Sequence, residues 1–424
     1  MGLARRSLLA GMAGATSALA APVSTSQIND LNLAIEKAIQ ASGRLFLPAG
    51  DYRASALAIK APLTIEGVAG LTRIIAEDGA AALVIASDGV SLRGLTFVGG
   101  AAVDAEGQAL VIGKNASSLT IDGCRFEGGA SGLRLEGCGG RIATCDFSGQ
   151  ATTAIFARDS TGLAITGNRI ADIGNNGIQV WRSEKGEDGT RVADNHIARI
   201  AATAGGDGQN GNGINIYRAG NVIVAGNRVT DCAFSAIRDN AGDNCQIVNN
   251  SISRTGEVAI FCEFAFSGAV VSGNLIEDVA FGISITNFNE GGRLAVCANN
   301  IVRKVKGGGS LANTTATAIA VEADTVVSGN VIEEAGANGI ALGWGPYSRN
   351  LSATGNLLRG CGRAIAFSAS EGAGPVLIRD NRIAQSAIAI QGMDHAETVT
   401  EDYGLVGAGS PAAGLIAGNL VTPT

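Results

Sequence analysis

The sequence predicts an all-β fold, a right-handed parallel β-helix with an N-terminal capping helix, and three observations carry that prediction. Gly supplies 61 of 424 residues and aromatic side chains only 4%, a composition suited to thin repeated layers rather than one bulky core. A phrase of a small or polar residue, Asn, any residue and an aliphatic one recurs roughly every 25 residues. Behind each phrase lies a short segment whose apolar residues alternate with period two, as in a half-buried strand. Gly does not fall at every third position, so collagen is excluded. Apolar residues at 46% against 16% charged residues are ample for a large buried core.

The elements follow in chain order. Residues 1–20 read as an export leader: Arg5-Arg6-Ser7-Leu8-Leu9 opens an Ala/Gly/Leu run, and Ala18-Leu19-Ala20 fits a cleavage site. The paired arginines resemble a twin-arginine (Tat) signal, with an ordinary Sec signal as the alternative. The run is too short and too weakly apolar to span a bilayer, and no second stretch reaches that length. The mature chain, 21–424, is expected as one β-helix domain, periplasmic or secreted. Ile28, Leu31, Ile35, Ala38 and Ile39 share one helical face, which predicts a capping helix over 27–42 that closes the open end of the stack. Residues 44–52 then begin the coils.

The Asn phrase is carried by Asn168, Asn195, Asn227, Asn250, Asn274, Asn300, Asn330, Asn356 and Asn381, at steps of 27, 32, 23, 24, 26, 30, 26 and 25. Upstream, Cys124 and Cys145 occupy the Asn slot and are expected as a reduced pair in the core. Asn tolerates left-handed turns and can hydrogen-bond along a stack, so the phrase marks a bend. Segments such as Gly177-Ile178-Gln179-Val180-Trp181 and Gly213-Ile214-Asn215-Ile216-Tyr217 supply one strand of each coil. A leucine-rich repeat lacks support because its Leu frame is missing, and a propeller needs longer blades. After Asp394 the repeat fades, apart from Gly418-Asn419, and 393–424 reads as a C-terminal cap or tail. The eight cysteines show no C-x-x-C spacing and read as small core residues.

The formal net charge of −7 disfavours a general nucleic-acid or anionic-membrane surface. Neither nucleic acid nor stable membrane insertion is expected.

The phrase Leu45-Phe46-Leu47-Pro48-Ala49-Gly50-Asp51-Tyr52, together with the Asn ladder, resembles the pectate-lyase-like β-helix superfamily over nearly all of the mature chain. The leader joined to this repeat, with Ala233-Phe234-Ser235-Ala236-Ile237-Arg238 and Asn287-Phe288-Asn289-Glu290-Gly291-Gly292-Arg293-Leu294, looks more closely like the Tat-translocated repetitive protein family. The resemblance implies a fold and, through the enzymes of the superfamily, polysaccharide chemistry. The chain departs from those enzymes in having no Asp-Pro-His-Asp, no Gly-His-Gly with paired Asp and no Arg-x-Pro-x-x-Arg. The superfamily also places the Asn ladder between the second and third strands of each coil. The Gly-Ile-x-Val-x strands here therefore correspond to the first sheet, whose outer face carries the substrate groove.

Alternation along those strands puts Arg134/Glu136, Phe156/Arg158, Gln179/Trp181, Asn215/Tyr217, Arg238/Asn240, Phe261/Glu263 and Ser284/Thr286 outward, followed by Ala320/Glu322 and Ala341/Gly343. The Asn-to-strand spacing rises to 18 from Asn195 to Gly213 and again from Asn300 to Ala318. Residues 201–212 and 306–317 are thus insertions on one edge, four rungs or about 19 Å apart. Folded toward the first sheet, both would wall a groove. Glu263 and Asp239 are the candidate acid and base, Tyr217 an alternative proton donor, and Arg238 a stabiliser of developing negative charge. Gln179, Trp181, Arg182, Asn215, Arg218, Asn240, Phe261, Thr286, Asn287 and Phe288 are the candidate binding residues, with aromatic faces for sugar rings and Arg for uronate carboxylates. Alternation points Asp239 inward, so it is either buried against Arg238 or displaced by a bulge.

A second exposed column, one residue after each Asn slot, holds Arg125, Asp146, Arg169, His196 and Arg228. The arginines would keep His196 neutral. His395 lies beside Asp394 in the tail. Asp207, Asn210 and Asn212 offer oxygens for calcium, though one carboxylate makes a weak site. No other cofactor motif is present, and Glu184, Glu187 and Asp188 read as a solvated face. The leading expectation is an exported protein that binds and modifies an acidic polysaccharide by lyase, epimerase or hydrolase chemistry, met by the Tat translocase on the way out. The alternative is a non-catalytic polysaccharide-binding or structural envelope solenoid.

Overall fold

The computed structural model describes residues 30–77, 79–100, 108–406 and 414–422; the leader at 1–20 and the start of the expected helix lie outside them. Helix α1, Leu31–Ala41, begins where the Asp30 side chain accepts the backbone N–H groups of Asn32 and Leu33. Its buried face, Leu31, Ile35 and Ala38, packs on the first coil. The rest is the expected right-handed parallel β-helix. Among the described residues, three sheets of 15 strands each run the length of the stack, and every coil gives one strand to each sheet. Pairing is parallel apart from a terminal hairpin in which Met393 faces Thr398.

Strands of three to six residues bury their alternate side chains inward. In the core, Phe97, Phe126 and Phe147 stack with ring centroids 5.1 and 4.6 Å apart. Ile170, Ile197 and Val229 continue that column. All eight cysteines are buried and unbridged.

The Asn column sits between the second and third sheets. Asn195 Oδ1 accepts both the backbone N–H of Asn168, at 3.0 Å, and its Nδ2, at 2.9 Å. Asn168 Nδ2 also donates to the Ile142 carbonyl of the preceding coil at 3.1 Å. The same three contacts repeat coil by coil to Asn381, whose partner is Asn419. The fading repeat at the C-terminus is therefore still one rung of the ladder, with Gly414–Ala417 and Leu420–Thr422 added to the second and third sheets. At the upstream end Cys145 keeps the backbone half of the pattern, donating its N–H to Asn168 Oδ1 at 3.0 Å.

The structure corrects one detail of the bend. The left-handed residue is the one before each ladder Asn, with φ from +56° at Asp380 to +69° at Gly273. This is why the phrase opens on Gly, Asp or Asn. The ladder Asn itself contributes its side-chain amide, which satisfies donors that a dry interior would otherwise orphan.

Replacing Asn250 with Leu should leave two buried donors of Asn227 without an acceptor. Stability should fall by roughly 2–5 kcal/mol in urea unfolding, whereas Ala at the exposed, adjacent Ser251 should change it by less than about 0.5 kcal/mol.

Candidate functional site

The register of the first sheet matches the outward positions read from the sequence. Gln179, Asn215, Arg238, Phe261 and Ser284 form one column, and Trp181, Tyr217, Asn240 and Glu263 the other. The N-terminal part of this face is a run of aromatic and cationic groups. Arg134 lies 4.9 Å from the Phe156 ring centre, Phe156 meets Trp181 edge-on at 5.4 Å, and Trp181 leans on Tyr217 at 5.3 Å. Arg218 covers Tyr217 at 4.9 Å and donates to the Ser183 carbonyl at 3.0 Å. Trp181 Nε1 is buried within this run and has no hydrogen-bond partner.

The next rungs hold a dense ionic cluster. Arg238 donates through Nε to Glu263 Oε1 at 2.5 Å and through Nη2 to Oε2 at 2.9 Å, and its Cζ lies 5.3 Å from the Phe261 ring centre. Asn240 Nδ2 adds a bond to Glu263 Oε1 at 2.8 Å. A second carboxylate, Glu257, stands 3.6 Å from Arg238 and accepts from Ser235 Oγ at 2.7 Å. Burial pushes the Glu257 carboxyl above its usual range, although Arg238 works against that shift. Glu257 was missed in the sequence because it precedes the strand Val258–Glu263 and so lies outside the alternating positions. Its approach to Ser235 and Arg238 is set by the turn after Thr255, which no local pattern records.

Loop 201–211 leans over this cluster. Arg238 Nη1 donates to the Gly208 carbonyl at 2.5 Å. A Cβ on Gly208, where φ is +138°, would stand 2.1 Å from that Nη1, so the close approach needs glycine. The loop is tied down by Asn212, whose Nδ2 donates to Asn176 Oδ1 at 3.2 Å and to the Gly208 carbonyl at 2.9 Å. Asn212 Oδ1 accepts from the Ser235 N–H and Asn210 Oδ1 from Asn176 Nδ2. The Asn210 and Asn212 oxygens considered for calcium are thus engaged with protein donors, while Asp207 stands exposed beside them.

The second insertion does not form a separate wall. It runs back along the edge, where the Ser310 N–H donates to the Gly256 carbonyl at 2.7 Å and its hydroxyl reaches the Ala233 carbonyl. Phe234, next to Ala233, bonds through its N–H to Gly211 of the first loop at 3.0 Å. The two loops therefore make one continuous ridge. On the opposite edge, a bulge after Trp181 carries Lys185 to Asp243, at 2.8 Å, and to the Ala265 carbonyl, at 2.6 Å.

Two expected residues, Asp239 and Arg182, lie off this face. Asp239 is fully buried inside the solenoid, without a bulge, and it does not meet Arg238, which points the other way. Its Oδ1 accepts the Gly242 N–H at 3.1 Å and its Oδ2 is unpartnered. Glu263 and Asp239 thus occupy opposite sides of the sheet and cannot act on one substrate as acid and base. Arg182 sits on the edge, 3.9 Å from Asp188. Asp188 is itself buried, and its burial raises the carboxyl, so this part of the acidic segment is not a solvated face. Thr286 pairs with Ser284 at 3.1 Å, and Asn287 Oδ1 accepts the Phe264 N–H at 3.2 Å. Phe288 lies under Arg349 at 4.4 Å and donates its N–H to Glu322 at 2.7 Å. Gln179 and Asn215 are buried in the sheet face, Gln179 accepting from Thr153 at 2.8 Å. His196 lies on the third sheet, where burial and the neighbouring Arg228, Arg169 and Arg199 lower its pKa. His395 bonds Asp394 at 2.8 Å and meets Trp344 edge-on.

A family model described as "Periplasmic copper-binding protein (NosD)" matches residues 73–253, and one described as "Right handed beta helix region" matches residues 184–326. No curated protein matches the chain. Among solved structures, the catalytic domain of GH87 α-1,3-glucanase in complex with nigerose is similar with a TM-score of 0.53 and 14% identity, over 88% of this chain and 69% of that one. PfbA, a surface adhesin of Streptococcus pneumoniae, is similar with a TM-score of 0.52 and 13% identity, over 85% and 88%. At these identities the likeness is one of fold. The donors present do not fit a copper centre: the sequence has two histidines, on different parts of the stack, and eight buried cysteines. Among the described residues no group of three His, Cys, Asp or Glu side chains could hold a metal ion. The chain has a right-handed parallel β-helix fold.

Burial raises the Asp239 carboxyl to about 7 from the model-peptide value of 3.8. Below the lower value both folded and unfolded chains hold the proton. Between the two the unfolded chain releases it first, so stability falls as pH rises, and above about 7 the full penalty persists. Asp239→Asn should therefore raise the thermal midpoint most above pH 7 and change it little near pH 3.5, measured by circular dichroism.

Proposed function

We propose that this chain is an exported polysaccharide-binding β-helix whose ligand lies along the outer face of the first sheet, between the loop ridge and the Lys185 bulge. The observation that carries the reading is the run Arg134, Phe156, Trp181, Tyr217 and Arg218. Aromatic faces stack on the apolar faces of pyranose rings. Arginines at both ends favour an acidic sugar. The glucanase fold neighbour is bound to a glucose disaccharide, and the adhesin neighbour is a surface protein. Both support a sugar-facing or surface role on this fold.

A catalytic form of the same reading is favoured by the buried cluster of Arg238, Glu263 and Glu257. One guanidinium there faces two carboxylates, and burial raises the Glu257 carboxyl, a shift in the direction that suits a proton donor at the edge of the sugar face. Lyase, epimerase or hydrolase chemistry on an acidic polysaccharide would place its acid at Glu257 and draw on Glu263 and Arg238 for charge. In this proposal residues 1–20 direct Tat export to the periplasm or beyond, and the chain is a member of the Tat-translocated repetitive family. Among the described residues no helix is long and apolar enough to cross a membrane.

The protein has two tryptophans, so a Trp344→Phe background makes Trp181 the sole reporter. Titration with alginate, pectin and exopolysaccharide oligomers should quench or shift its fluorescence, and Trp181→Ala should weaken binding by about tenfold or more, measured by calorimetry. Unchanged affinity after truncation of Trp181, Tyr217 and Arg238 together would move the site off this sheet. If turnover accompanies binding, Glu257→Gln should abolish it while preserving affinity, and turnover at the wild-type rate by that variant would remove the catalytic form.

A further inference from the structure

The third sheet carries two outward columns with opposite charge logic. At its left-handed corner positions stand Asp172, Arg199, Asp231, Arg254, Asp278, Lys304 and Glu334. Their signs alternate along the whole run. Arg199 clasps Asp172 at 2.6 and 2.7 Å, and Arg254 clasps Asp231 at 2.6 and 2.8 Å. This column neutralises itself.

The column just after the Asn ladder alternates only at its start, where Asp146 stands opposite both Arg125 and Arg169. Arg169, His196 and Arg228 face one another in register on three consecutive rungs, all exposed. The nearby carboxylates lie closer to other arginines. Asp146 lies 3.8 Å from Arg125, Asp194 is 3.9 Å from Arg191, and Asp172 and Asp231 hold Arg199 and Arg254. Among the described residues neither Arg169 nor Arg228 has an ion-pair partner. The two arginines stand two rungs apart, with His196 between them.

We propose that Arg169, His196 and Arg228 bind a linear anionic polysaccharide lying along the solenoid axis on the third sheet, with one acidic group per rung. The rungs repeat every ~4.8 Å, an interval comparable to one sugar of an extended polyuronate. Each arginine can fork onto a carboxylate. His196 fills the middle position without adding a permanent third charge and can donate from its ring N–H. The overall charge of −7 opposes broad polyanions, so the column suits a thin chain that touches this face alone. The site is separate from the first-sheet groove and does not rest on it.

Calorimetric titration of the mature protein with oligogalacturonate and oligomannuronate tests the proposal, with methyl-esterified oligogalacturonate as the uncharged control. At least one acidic oligomer should bind in a Trp181→Ala background, the ester should not, and added salt should weaken the interaction. The combined Arg169→Gln, His196→Gln and Arg228→Gln variant, checked for folding by circular dichroism, should lose about tenfold or more in affinity. The proposal is overturned by absence of binding to both acids, by equal binding of the ester, or by unchanged affinity in the combined variant. Equal binding of a single-stranded oligonucleotide at the same residues would also overturn it, because the column would then be a generic polyanion contact.

Discussion

The asparagine ladder is the constraint from which the rest of this molecule follows. Each ladder oxygen accepts two N–H groups of the preceding coil, and each ladder amide returns a bond to an earlier carbonyl, all in a dry interior. A slip of one residue would orphan these groups and turn every inward side chain outward. Strands of only three to six residues could not hold register by themselves. The ladder therefore confines length variation to the turns, and the insertions at 201–211 and 306–316 fall where a coil can lengthen without disturbing its neighbours.

Locked register turns single residues into columns, and the columns differ in how their charges are handled. The first sheet juxtaposes an aromatic run with a buried ionic cluster, and loop 201–211 supplies the Gly208 carbonyl that completes the coordination of Arg238. With side-chain exposure of 12% for Arg238, 7% for Glu257 and 3% for Glu263, removing one partner would strand another without water. The site is thereby rigid before any ligand arrives, which reduces the ordering needed on binding. The interior takes the opposite course at Asp239, an acid kept inside the stack with one oxygen unsatisfied.

Much of this was legible in the sequence because a repeat converts spacing into geometry. The pairing of Arg238 with Phe261 and of Asn240 with Glu263 follows from alternation once the Asn positions are aligned. The inward direction of Asp239 followed from the same rule, but its partner did not, since the Gly242 N–H belongs to the turn after the strand. The path of the second insertion was illegible because it depends on Ser310 meeting Ala233, 77 residues earlier. The raised Glu257 carboxyl and the burial of Asp188 were hidden for a related reason. Desolvation is set by what neighbouring coils and loops lay over a residue, and no local pattern records that.

The central claim is that the Asn side chains, and not the aliphatic core alone, hold the coils in register. Hydrogen exchange of the Asn side-chain amides, followed by NMR on protein labelled with nitrogen-15 at Asn, tests it most directly. Ladder amides from Asn195 to Asn356 should exchange together at the slow rate of global unfolding, while the exposed amide of Asn289 exchanges freely. Rapid exchange of the ladder amides in a protein whose strand backbone stays protected would contradict the account.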